Sequence, residues 1–150
     1  MESSGRRKVL ATFALIAVVA SGCAGIYREP GVDALQAGEY AIIERGSNDS
    51  EIRVISIDGK ALQNPNLQRL EVRPGTRMLK VQLVRAFESP KPTSPTSFME
   101  VHLVAGKTYI LTYAARSLGP GKGGIFRIWA MDKGTGLTVS NDLDEAGRRR

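Results

Sequence analysis

The chain has 150 residues, 42% of them hydrophobic and 24% charged, with 21 Lys and Arg against 15 Asp and Glu for a formal charge of +6. That length suits one domain with a real core and leaves little room for a second. One cysteine excludes an intramolecular disulfide, and one histidine leaves any His-based metal site or Ser-His-Asp arrangement resting on a single residue.

Arg6, Arg7 and Lys8 form a short cationic run, and Val9 to Ala20 follows as twelve residues whose only polar side chain is Thr12. At 1.5 Å per residue that run covers about 18 Å, short of the roughly 30 Å hydrocarbon core of a bilayer. A positive segment, an apolar segment of this length and small residues after it describe a secretory signal peptide rather than a permanent span.

Ala20, Ser21 and Gly22 stand directly before Cys23. This stretch resembles the lipobox of bacterial lipoproteins, where a cysteine follows small residues; leucine is the usual first residue there, and Ala20 takes its place. The resemblance implies cleavage before Cys23, a diacylglyceryl group on its thiol and acylation, commonly by palmitate, of the new amino terminus. Two or three chains anchor stably where one does not. An ordinary signal peptide with an incidental cysteine is the alternative. Ala24 and Gly25 follow the cysteine rather than aspartate. The family pattern therefore implies the outer membrane, facing the periplasm, over the inner membrane. Removal of residues 1–22 takes away Arg6, Arg7, Lys8 and Glu2, so the formal charge falls from +6 to +4. Arg148, Arg149 and Arg150 hold three of the remaining charges at the far end, which makes the basic balance a tail effect and not a nucleic-acid footprint.

Residues 23–38 carry Gly25, Pro30, Gly31 and Gly38 and read as a lipidated, mostly irregular tether. From Glu39 the pattern is β. Tyr40–Ile43, Ile52–Ile57, Leu70–Val72, Met78–Leu83, Met99–Leu103, Thr108–Ala115, Ile125–Met131 and Leu137–Val139 are the predicted strands, separated by turn residues such as Asp58-Gly59 and Pro74-Gly75. Leu79, Val81 and Leu83 alternate with Lys80 and Gln82, as a half-buried strand requires. Ser89–Ser97 carries three prolines and is expected as an exposed connection. Seven or eight short strands predict an all-β fold, a single antiparallel β-sandwich over 39–140 after the signal helix, with a charged, disordered tail over 141–150. The run Ile57-Asp58-Gly59-Lys60 with Leu70 to Thr76 resembles a PEGA-type module, a small transthyretin-like β-sandwich family. Val104 to Tyr109 is similar to the pattern of related envelope lipoproteins. The chain departs from it by the proline-rich insertion and by lacking a Gly-Tyr after the second strand.

Candidate chemistry is sparse. Glu100 and His102 share the polar face of one strand and could form a proton-handling pair, but nothing nearby supplies a nucleophile and a solvated histidine is the simpler reading. No Gly-x-Ser-x-Gly elbow and no Ser-x-x-Lys occurs. Gly121, Lys122 and Gly123, within a glycine-rich loop at 119–124, offer free amides and a cation to an anion, yet the spacing is not that of a phosphate loop and a strand follows. Trp129 reads as a core anchor, with groove lining as the alternative. The expectation is a non-catalytic, cofactor-free and metal-free lipoprotein held to the membrane by its lipid. It would bind or scaffold an envelope protein complex or peptidoglycan and not nucleic acid. The alternatives are glycan or peptidoglycan-fragment binding through Lys122, Gly121, Gly123 and Trp129, and, more weakly, a hydrolase using Glu100 and His102.

Overall fold

The computed structural model describes residues 25–46, 51–84, 94–119 and 124–143. The signal segment, Cys23, and Gly121, Lys122 and Gly123 therefore lie outside the described residues. Ten strands run in chain order: β1 (Ile26–Arg28), β2 (Ala41–Arg45), β3 (Ile52–Ile57), β4 (Lys60–Ala61), β5 (Arg69–Val72), β6 (Gly75–Leu83), β7 (Thr96–Leu103), β8 (Thr108–Ser117), β9 (Gly124–Asp132) and β10 (Ser140–Leu143). A single 3-10 turn, Val32–Ala34, lies between β1 and β2.

The strands form two five-stranded sheets, in the orders β1-β5-β2-β8-β9 and β10-β7-β6-β3-β4. Alternation drives each sheet to turn one row of apolar side chains toward the other. Ala41, Ile43, Leu70, Val72, Tyr109, Leu111, Ile128 and Ala130 come from the first sheet; Ile52, Val54, Ile57, Leu79, Val81, Leu83, Met99, Val101 and Leu103 come from the second, and all belong to one buried cluster. The all-β, two-sheet expectation therefore holds.

Four details differ from the sequence reading. The first sheet is mixed, because β1 pairs with β5 and β2 pairs with β8 in parallel. Parallel neighbours need a crossover between distant segments, which local alternation cannot signal. Second, residues 26–28 are not spacer but strand, and Val32 is buried at 1% exposure. Third, the last strand is not 137–139. Val139 donates its backbone N–H to the Ala130 carbonyl in the first sheet, and from Ser140 the chain pairs with β7 in the second. The segment thus crosses from one sheet to the other, and residues 141–143, expected in the tail, belong to the fold. The proline-rich connection also ends sooner than expected, since Thr96 and Ser97 already pair with Gln82 and Val81.

Asp58 and Gly59 both adopt positive φ, 48° and 77°, the geometry of a tight hairpin turn between β3 and β4. Gly106 (φ 75°) donates to the Tyr40 carbonyl, and a Cβ there would lie 3.1 Å from the Gly38 carbonyl oxygen, so the close approach of the two loops requires glycine.

Burial predicts a contrast. Leu79 is fully buried, whereas Leu137 is 67% exposed. Leu79→Ala should cost about 2–5 kcal/mol in urea unfolding, and Leu137→Ala should stay within about 0.5 kcal/mol of the parent. Equal losses at the two sites would contradict the packing described.

Candidate functional site

The inward row of β6 does not end in leucine. Counting back from Leu83 through Val81 and Leu79 in steps of two reaches Arg77, so the pleat aims a guanidinium toward the mouth of the sandwich. Its side chain is only 14% exposed. A desolvated guanidinium needs partners, and two carboxylates supply them. Glu29, just past β1, accepts from Arg77 Nη2, and Asp58, in the β3–β4 turn, lies 3.1 Å from Arg77 Nη1. Arg77 Nε is buried without a hydrogen-bond partner.

Glu29 is the hub. Its Oε2 accepts the Arg73 backbone N–H at 2.8 Å, and its Oε1 accepts from Arg73 Nη2 at 3.1 Å as well as from Arg77. Burial alone would raise this carboxyl; the Arg73 backbone and both guanidiniums outweigh burial and hold it below its ordinary value. Asp58 is fixed by a reciprocal backbone pair with Met78, its own N–H donating to the Met78 carbonyl and its Oδ1 accepting the Met78 N–H, each at 2.8 Å. These groups line a cleft of about 260 Å³ whose apolar wall is Pro30, Ile57 and Ala61, with Tyr27 and Lys60 completing its rim. Burial, and then the Glu29 charge, push the Tyr27 hydroxyl above its ordinary value, so it stays protonated. The cleft gathers residues from β1, the β3–β4 hairpin and the β5–β6 connection, which only the fold brings together.

Other charged clusters brace the structure. On the outer face of the first sheet, Glu71 (3% exposed) receives Arg28 Nε at 2.6 Å and Arg69 Nη2 at 3.0 Å. Asp132 (6% exposed) closes the turn after β9: Lys107 Nζ reaches its Oδ2 at 2.6 Å, and the backbone N–H groups of Gly134 and Thr135 donate to its Oδ1. The Lys107 ammonium, countering burial and aided by those two N–H groups, holds Asp132 below the usual carboxylate range.

The residues singled out from sequence are scattered. Glu100 and His102 point from the outer face of β7, where His102 Nδ1 meets Thr76 Oγ1 at 3.3 Å and Asn141 donates to Glu100 Oε1 at 3.4 Å. They lie on the outer face of the second sheet and do not line the cleft around Glu29 and Arg77. Trp129 is half-buried on the face of β9 opposite the core residues Ile128 and Ala130, paired across from Thr112, so it is not a core anchor. The signal of the cleft that was present in the chain is an arginine in the apolar parity of a strand. Among the described residues no cluster of three or more His, Cys, Asp or Glu could hold a metal ion, and no helix is long and apolar enough to cross a membrane. Compared with protein-family models, curated proteins and solved structures, the chain matches none.

The two depressed carboxyls set an acid response. Their stabilisation is complete above the unfolded-state value near about 4 and is lost as pH falls through the lower folded values. Melting temperature should therefore hold level from about pH 7 to about pH 5 and drop below about pH 4. Glu29→Gln should lower it at neutral pH and shrink the acid drop. An acid drop of unchanged size in that variant would sink the assignment of Glu29.

Proposed function

We propose that this chain is a lipid-anchored envelope protein whose β-sandwich binds or scaffolds at the membrane surface, without catalysing a reaction. The observation that carries the reading is where the fold begins. The Gly25 carbonyl accepts the backbone N–H groups of Gln68 and Arg69 at 2.7 and 2.9 Å, so the chain is already pinned to the first sheet two residues after Cys23. Two residues reach at most about 7 Å. A lipidated Cys23 would hold the β1 edge of the domain against the bilayer, with no length of free tether between them. An anchor of that kind fixes orientation as well as address, which serves a protein that presents a surface to partners in the envelope.

The order of cationic run, apolar run, small residues and cysteine supports the lipoprotein reading, and Ala24 favours the outer membrane. A PEGA-like identity for the sandwich is part of the same proposal, supported by the Asp58-Gly59 hairpin and by the β5–β6 turn at Pro74-Gly75, where Gly75 has φ 124°. Envelope protein complexes or peptidoglycan are the partners this position favours.

The anchor is tested by labelling cells with radioactive palmitate and fractionating them. The parent should carry label in the membrane fraction, and Cys23→Ser should accumulate as unlabelled, uncleaved precursor. A cleaved, soluble Cys23→Ser product at parental levels would refute lipidation at this residue.

A further inference from the structure

We propose that the cleft bounded by Glu29, Asp58, Lys60, Arg73 and Arg77 is a binding site for a small oxyanion, a ligand presenting carboxylate or phosphate oxygens. The inference comes from counting which hydrogen-bonding groups in the cleft are already spent. Both oxygens of Glu29 are taken, by the Arg73 backbone and by the Arg73 and Arg77 side chains. Both oxygens of Asp58 are taken, by the Met78 N–H and by Arg77. The acidic groups therefore have little left for a cation or for a donor on a ligand. What remains is donors. Lys60 lines the cleft and is exposed, and its side-chain ammonium makes no hydrogen bond or ion pair among the described residues. Arg73 spends one side-chain nitrogen on Glu29 and presents a half-exposed guanidinium with the others. The Tyr27 hydroxyl, kept protonated, is a further donor on the rim. Three cations against two carboxylates leave the cleft with a formal surplus of one positive charge.

A ligand complementary to that surplus carries acceptors and about one negative charge. Pro30, Ile57 and Ala61 give it an apolar wall to lie against, so a small organic anion with one apolar face suits the volume of about 260 Å³. The network behind the donors matters as much as the donors. Glu29 fixes the Arg73 guanidinium by one nitrogen and leaves its remaining edge turned outward, so less side-chain entropy is lost when the anion arrives. Lys60 stands across the hairpin turn, and its neighbour Gly59 keeps that turn tight. The site does not depend on the lipid anchor, and neither reading falls with the other.

The test is calorimetric titration of the full-length protein in detergent with three probes. Inorganic phosphate and N-acetylmuramic acid each supply an oxyanion, and N-acetylglucosamine is the matched neutral sugar. Binding of either anion, with no heat from the neutral sugar, is expected, and which anion binds tells a phosphate-bearing ligand from a carboxylate-bearing one. Lys60→Ala should weaken that binding by about tenfold, the loss of one charge-assisted hydrogen bond. Because the Lys60 side chain braces nothing and alanine keeps the backbone pairing of β4, this variant should melt like the parent. Lys80→Ala removes an equal charge from the outer face of the second sheet, where Lys80 stacks 5.3 Å from the Phe98 ring, and should leave the affinity unchanged. No binding of either anion overturns the proposal. So does an equal loss in the Lys60 and Lys80 variants, which would mean attraction by overall charge.

Discussion

An arginine in a core row is the constraint from which much of this structure follows. The pleat of β6 leaves no choice about the direction of Arg77, because Leu79, Val81 and Leu83 share its parity and must face inward. A guanidinium so placed is tolerable only with carboxylate partners, since an unpaired buried charge costs several kcal/mol. Asp58 comes from the neighbouring hairpin. Glu29 comes from the other sheet, and drawing it in recruits the whole segment that follows β1. Val32 then buries, Arg73 is held in the β5–β6 connection, and the two sheets are tied at one end by ions where the middle is joined by hydrocarbon.

The same tie explains why a cleft exists there. Apolar rows close on each other because a gap between them forfeits dispersion contacts. Charged side chains cannot interdigitate as closely and must keep water or each other as neighbours, so the sandwich stays parted at its polar end. The cations along that opening are not equivalent. Arg77 is consumed by Glu29 and Asp58, while Lys60 and much of Arg73 are left over. In the other two clusters the carboxylates are engaged: Glu71 sits between Arg28 and Arg69, and Asp132 is held by Lys107 and two backbone donors. Ion pairs on exposed faces contribute little to stability. A leftover cation beside an apolar wall is a different thing, and it is what distinguishes the cleft from those braces.

Much of the fold was legible in the chain. Strands β3, β6, β7, β8 and β9 lie close to where alternation and β-branched residues put them, and Asp58-Gly59 makes the turn its chemistry demands. The misses have a common character. Residues 26–28 read as spacer from the sequence because three residues among Gly and Pro carry no periodicity; their strand exists only because β5 lies alongside in parallel register. An isolated tryptophan in a strand is usually a core anchor, but here Ile128 and Ala130 take the inward parity and Trp129 the opposite one. The cleft is not legible in the sequence because its residues are spread from position 27 to position 77, and each of its charged residues alone looks like a solvated one.

What the sequence by itself determined was local: strand positions, turn chemistry, the β class and the order of charges, apolar residues and cysteine at the amino terminus. Those features depend on the period of the backbone and on the conformational preferences of neighbouring residues, which are written into adjacent positions. What only the tertiary structure decided was pairing. The mixed order of the first sheet, the crossing of residues 137–143 from one sheet to the other, and the meeting of Glu29 with Arg77 all join segments far apart in the chain. No short-range preference encodes such contacts, because they arise when two apolar faces close together and the charges at their margins must find partners.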